Sequence, residues 1–87
     1  MTDLKKGSIV KLRLWHGVVE NVYRAEDGDV MAKVWFVKNV FKMQQPEFLP
    51  LAELEPATLE GMLTELHYLR EGLEHNLERL LETARGE

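Results

Sequence analysis

Cysteine is absent from the chain. No disulfide can staple the fold, and no thiolate can hold a metal. A chain of 87 residues buries a modest share of its surface, so its support must come from good packing or from association. Serine is nearly absent too. Ser8 is the single one, at the opening of a strand-like stretch. There is no glycine-rich phosphate loop and no pair of carboxylates at a telling spacing. The chain is therefore read as a non-enzyme that needs no cofactor and no small-molecule ligand. Long apolar runs are also missing. None approaches the roughly 18 residues of a membrane span, and "MTDLKKGS" lacks the apolar segment of a secretory leader. Neither is expected, and a cytoplasmic location is.

What is present describes an ordinary soluble globular protein, with 45% hydrophobic and 30% charged residues. The net charge of −4 is unevenly placed. Residues 1–57 carry eight acids and eight bases, whereas residues 58–87 carry seven acids and three arginines. The acidic tail repels phosphate backbones, and the neutral head does not strongly attract them.

Composition changes near Pro56, from valine and aromatics to leucine and glutamate. Two domains follow, 1–57 and 58–87. "GSIVKLRLW" alternates, with Val10, Leu12 and Leu14 against Lys11, Arg13 and Trp15, and predicts a first strand. "GVVENVYRA" predicts a second. "EDGD" supplies a turn with Gly28 free to take positive φ. "VMAKVWFV" predicts a third, with Val30, Ala32, Val34 and Phe36 on one face and Met31, Lys33, Trp35 and Val37 on the other. "NVFKM" reads as a fourth short strand. "QQPEFLPLAELEP" holds three prolines, which exclude a central strand. It reads as a loop with an edge strand at Glu47–Leu49 and a turn of helix at Leu51–Leu54.

From Thr58, a fitting N-cap, the period becomes helical. Leu59, Leu66, Leu73 and Leu80 recur at a step of seven. With Met62, Leu63, Leu69, Leu77, Leu81 and Ala84 they form one broad stripe, interrupted by Arg70. Gly61 and Gly72 each cost about 1 kcal/mol against alanine, yet the register runs through Gly72 and argues for one helix. A helix over 58–85 is about 42 Å long. It would overhang a body of some 55 residues, about 25 Å across. The stripe is wider than a two-stranded coiled-coil seam. It is expected to dock on the body over residues 59–69 and on a partner helix beyond.

Residues 5–56 resemble a small SH3-like β-barrel of the Tudor or KOW type. The resemblance rests on "KKGSIVKL", "HGVVENV", "DGDVMAKVWF" and "LPLAELEP". It implies an α+β chain: a small SH3-like barrel followed by one long amphipathic helix. It also implies roles such as docking on transcription or translation machinery, or nucleic-acid binding. The lysine-rich loops of nucleic-acid-binding relatives are not evident here.

Each candidate site has a plainer reading beside it. Trp15, Tyr23, Trp35, Phe36 and Phe41 have the chemistry of a methyl-lysine cage, but aromatic residues also dominate ordinary cores. His67, Glu71 and His75 have the chemistry of zinc ligands, yet they drift around a polar face with no fourth ligand. Lys5, Lys6, Lys11 and Arg13, with Trp15, are the candidate nucleic-acid contacts. On an acidic protein they make a weak footprint.

The sequence thus predicts a non-enzymatic interaction module or accessory subunit. Its helix interface comprises Leu59, Leu63, Leu66, Leu69, Arg70, Leu73, Leu77, Leu80 and Ala84. Its barrel docking face comprises Trp15, Met31, Trp35 and Val37. A homodimer or docking on a larger protein is expected, and the alternative is a nucleic-acid-binding barrel dimerised by its helix. In a parallel dimer two Arg70 side chains would meet. An antiparallel one centred near residue 72 sets Arg70 against Glu74.

Overall fold

The computed structural model describes residues 4–86. Among these residues five strands form one antiparallel sheet: β1 (Ile9–Leu12), β2 (Trp15–Arg24), β3 (Val30–Phe36), β4 (Glu47–Pro50) and β5 (Glu55–Pro56). Their order is β4-β3-β2-β1-β5. A short helix, α1 (Val37–Phe41), links β3 to β4. A 3₁₀ turn (Leu51–Glu53) links β4 to β5, and the long helix α2 (Leu59–Ala84) follows. The layout is α+β, with the sheet in the N-terminal part.

Strand alternation sets the core. Ala32, Val34 and Phe36 point inward from β3 and are buried with Val10, Val19 and Leu54. Leu4, Leu12, Val22, Leu49 and Leu51 close around them. Met31, Lys33 and Trp35 occupy the opposite face of β3 and are half-buried. The β2–β3 turn forms where "EDGD" predicts it. The Asp29 N–H donates to the Asp27 carboxylate at 3.0 Å, and Gly28 takes φ +93°. A register shift between Val19 and Asn21 leaves Glu20 unpaired in the ladder. Such a bulge increases the local twist.

Two expectations are corrected. The first strand ends at Leu12, not Trp15. Arg13 adopts φ 58°, and Leu12 pairs with Trp15 across a two-residue turn. Leu14 is therefore a turn tip, 84% exposed, and Trp15 opens β2. "NVFKM" is not a strand. Val37–Phe41 is helical because Asn39 is drawn inside, where its Nδ2 donates to the Glu47 carboxylate at 2.9 Å. Lys38 lies 3.6 Å from the same oxygen. The chain then turns at Met43 (φ 54°).

The helix runs unbroken through Gly72. The Thr58 hydroxyl accepts from the Gly61 N–H at 3.0 Å and caps it. Its 26 residues span about 39 Å, and the molecule measures 57 × 27 × 18 Å. Among the described residues, no helix is long and apolar enough to cross a membrane.

At Gly17 the backbones of β2 and β3 approach closely. A Cβ there would lie 2.6 Å from the Trp35 carbonyl oxygen and 2.9 Å from Phe36 Cα. Both are backbone atoms, so β2 and β3 would have to separate. Gly17→Ala should lose about 3 kcal/mol in urea unfolding, at the top of the overpacking range. Gly28→Ala has open space around it and should lose about 1–2 kcal/mol, from backbone handedness alone. Equal losses would mean that the two strands part at little cost.

Candidate interaction surface

The first turns of α2 rest on β2 and α1. The contact is built around one carboxylate. Glu65 Oε1 accepts from the His16 backbone N–H at 2.6 Å and lies 3.1 Å from His16 Nδ1. A ring proton on Nδ1 completes a second hydrogen bond. The other oxygen, Oε2, is buried with no hydrogen-bond partner among the described residues. His16 Nε2 faces Gly61, where a Cβ would come within 2.8 Å of it. Gly61 is thus the clearance that lets the helix approach the strand. Met62, Leu66 and Leu69 are half-buried on the same side.

This contact was not legible beforehand, because His16, Gly61 and Glu65 carry no joint motif. The one signal in the sequence is that Gly61 and Glu65 are four apart, on the flank of the helix that also holds Met62 and Leu69.

The remainder of the leucine stripe faces solvent. Leu59 is 55% exposed and Leu63 is 49% exposed, although both sit beside the body. Leu73, Leu77, Leu80 and Leu81 are 49–65% exposed. Every side chain of α2 from Arg70 to Ala84 is exposed. The exposed leucines thus form a contiguous row along the helix rather than scattered surface residues.

The other named residues are dispersed. Trp15 opens β2, Met31 and Trp35 lie outward on β3, and Val37 opens α1. Two of the aromatic residues, Trp15 and Phe36, flank a lysine of the chain itself. The Lys38 ammonium lies 5.0 Å from the Trp15 ring centroid and 5.6 Å from that of Phe36. Those faces already hold a cation from the chain itself. Tyr23 packs edge-on against Phe48, with centroids 6.4 Å apart.

The basic set is also divided. Lys5 and Lys6 precede β1, Arg13 lies just beyond its far end, and Lys11 pairs with Glu55 at 4.0 Å. On the outer face Lys33 meets Glu20 at 2.8 Å. That ammonium, helped by Trp35, holds the exposed Glu20 carboxyl below its usual value. His67 pairs with Glu71 at 3.0 Å on the solvent side of α2. Among the described residues no group of three or more His, Asp or Glu could hold a metal ion.

Comparison with known proteins adds no relative: no family model, no curated protein and no solved structure matches the chain.

The two helical glycines should respond with opposite signs. Gly72 has nothing within 4 Å of an added Cβ, so Gly72→Ala should stabilise by about 1 kcal/mol. Gly61→Ala gains the same propensity but pushes on a histidine ring held by Glu65, and should destabilise in thermal unfolding. Glu65→Ala should cost about 1–3 kcal/mol by leaving the His16 N–H without an acceptor. Glu65→Gln keeps an oxygen for that N–H and should cost less. Fast hydrogen exchange at His16 in Glu65→Ala alone would locate the effect. Equal exchange in all variants would mean that the carboxylate does not hold the helix.

Proposed function

We propose that the protein is a non-enzymatic interaction module or accessory subunit: an SH3-like body of the Tudor or KOW type that presents α2 to a partner. The observation that carries this reading is the row of half-exposed leucines along α2, continuing past the body from Leu73 to Leu81. A lone helix gains little from such a row, whereas a partner helix or groove would bury it. The SH3-like reading draws support from the strand order and from β5. After the 3₁₀ turn, β5 returns to pair with β1, Val10 facing Pro56 and Lys11 facing Glu55.

Several features favour binding over catalysis. The Ser8 hydroxyl accepts from the Lys5 N–H at 3.0 Å in a local turn. The His16 ring is committed to Glu65. Separation of the basic residues and the acidity of the tail weigh against a phosphate-backbone ligand, which needs clustered cations. The resemblance to Tudor and KOW domains supports an association of the module with transcription or translation machinery.

Leu73→Glu with Leu77→Glu tests the reading, since both side chains are exposed and clear of the body. Near-ultraviolet circular dichroism of the tryptophans should stay unchanged. Association, whether with itself or with a protein retrieved from the native host, should be lost. If the double variant keeps every association of the parent, α2 is not the binding surface. A titration with single-stranded nucleic acid should show no binding that weakens steeply with salt.

A further inference from the structure

The spacing along α2 identifies a partner more closely, given that α2 is the binding surface. Leu59, Leu63, Leu66, Arg70, Leu73, Leu77, Leu80 and Ala84 follow one another at alternating steps of four and three. That is an unbroken a/d seam. Reversing the helix about a point midway between Glu71 and Gly72 maps this set onto itself. Leu59 then faces Ala84, Leu63 faces Leu80, Leu66 faces Leu77 and Arg70 faces Leu73. The same point is the midpoint of α2 (Leu59–Ala84), so two copies overlap along their whole length. We propose that the partner is a second copy of this chain, paired antiparallel through α2 about that centre.

The body leaves room for this arrangement. It meets α2 at Gly61 and Glu65 and along the half-buried Met62, Leu66 and Leu69, mainly at positions f, c and g of the heptad, with Leu66 the one seam position. Beside the body the seam is covered only in part: Leu66 is half-buried, whereas Leu59 and Leu63 are exposed.

Charge fits as well. In an antiparallel pair g faces g and e faces e. The g positions are Met62, Leu69, Asn76 and Thr83, which carry no charge. The e positions are Glu60, His67, Glu74 and Leu81, which set His67 against Glu74 of the second copy and Glu60 against Leu81. Glu71, Glu78 and Glu82 fall at b and f, away from the seam, so the acidity of the helix does not oppose self-pairing. Arg70 is the one charge in the seam. Beside Leu73 of the second copy stands Glu74, within reach of the guanidinium, and symmetry forms that pair twice. A parallel dimer would oppose the two Arg70 side chains across the seam, where repulsion is costly.

Because the chain lacks cysteine, introduced thiols report the register without interference. Light scattering on the full chain should give about twice 10.1 kDa. Leu63→Cys and Leu80→Cys alter exposed side chains. Oxidising an equimolar mixture of the two variants should yield a cross-linked dimer with one of each. Either variant alone should not cross-link, because its two thiols would lie about 26 Å apart along the axis. Cross-linking of each variant with itself would establish a parallel pair and overturn the proposal. A monomer throughout the micromolar range would overturn self-pairing and leave α2 to an unlike partner. As a second readout, Arg70→Glu and Glu74→Arg should each weaken the dimer several-fold, and the two together should restore it. A double variant as weak as the two losses combined would overturn the pairing.

Discussion

Glu65 reaches from the second turn of α2 to the start of β2 and accepts the His16 N–H at 2.6 Å, across 49 residues of sequence. The arrangement of the helix depends on this contact. The chain enters α2 two residues after β5, and so short a link fixes where the helix begins. It does not fix how the helix is rotated. A carboxylate held by both a backbone donor and an imidazole sets that rotation, and Gly61 allows it by removing the Cβ that would meet the ring. Met62, Leu66 and Leu69 turn partly inward as a result, and the seam of Leu59, Leu63, Leu73 and Leu77 is left on the flank. A rotation of one residue position, about 100°, would bury a different set and present glutamates instead.

Support for α2 also comes from α1, and α1 owes its place to Asn39. That side chain is 2% exposed, and it reaches Glu47 at the start of β4. Glu47 also meets Lys38, whose ammonium lies near the Trp15 and Phe36 rings. This cluster couples α1, β2, β3 and β4 at one end of the sheet. Lys38 and Glu47 are polar and half-buried, Trp15 is exposed, and Asn39 and Phe36 are buried. Geometry is what they supply, by tying α1, which adds no residue to the apolar core, to the strands that form it.

Elements governed by local pattern were legible in the sequence. The alternation of Ala32, Val34 and Phe36 gave β3 its inward face. Thr58 gave α2 its cap, and the step of seven carried it through Gly72. The misread segments are those where a distant group decides. "NVFKM" has strand-like residues, but Glu47, eight positions from Asn39, draws the segment into a helix. The alternation in "KLRLW" runs on through a hairpin tip, because Arg13 accepts a backbone angle that glycine or asparagine would have advertised. The seat of α2 on His16 lay beyond reading for the same reason. A glutamate on a helix flank looks like solvated charge until the strand that needs its oxygen is in place.

The three prolines bear on how the molecule behaves when crowded. Pro46 precedes β4, Pro50 ends it, and Pro56 ends β5. These two strands are the outermost of the sheet, with bare backbone edges that could template added strands. Proline withholds the donor such growth requires and is a recurrent guard against it. With two and four residues, β5 and β4 are also too short to seed a fibril, whose segments run to about six or seven. Growth of the sheet by added strands is thus disfavoured at both margins, so the exposed row of leucines lies on a molecule whose strand edges are guarded.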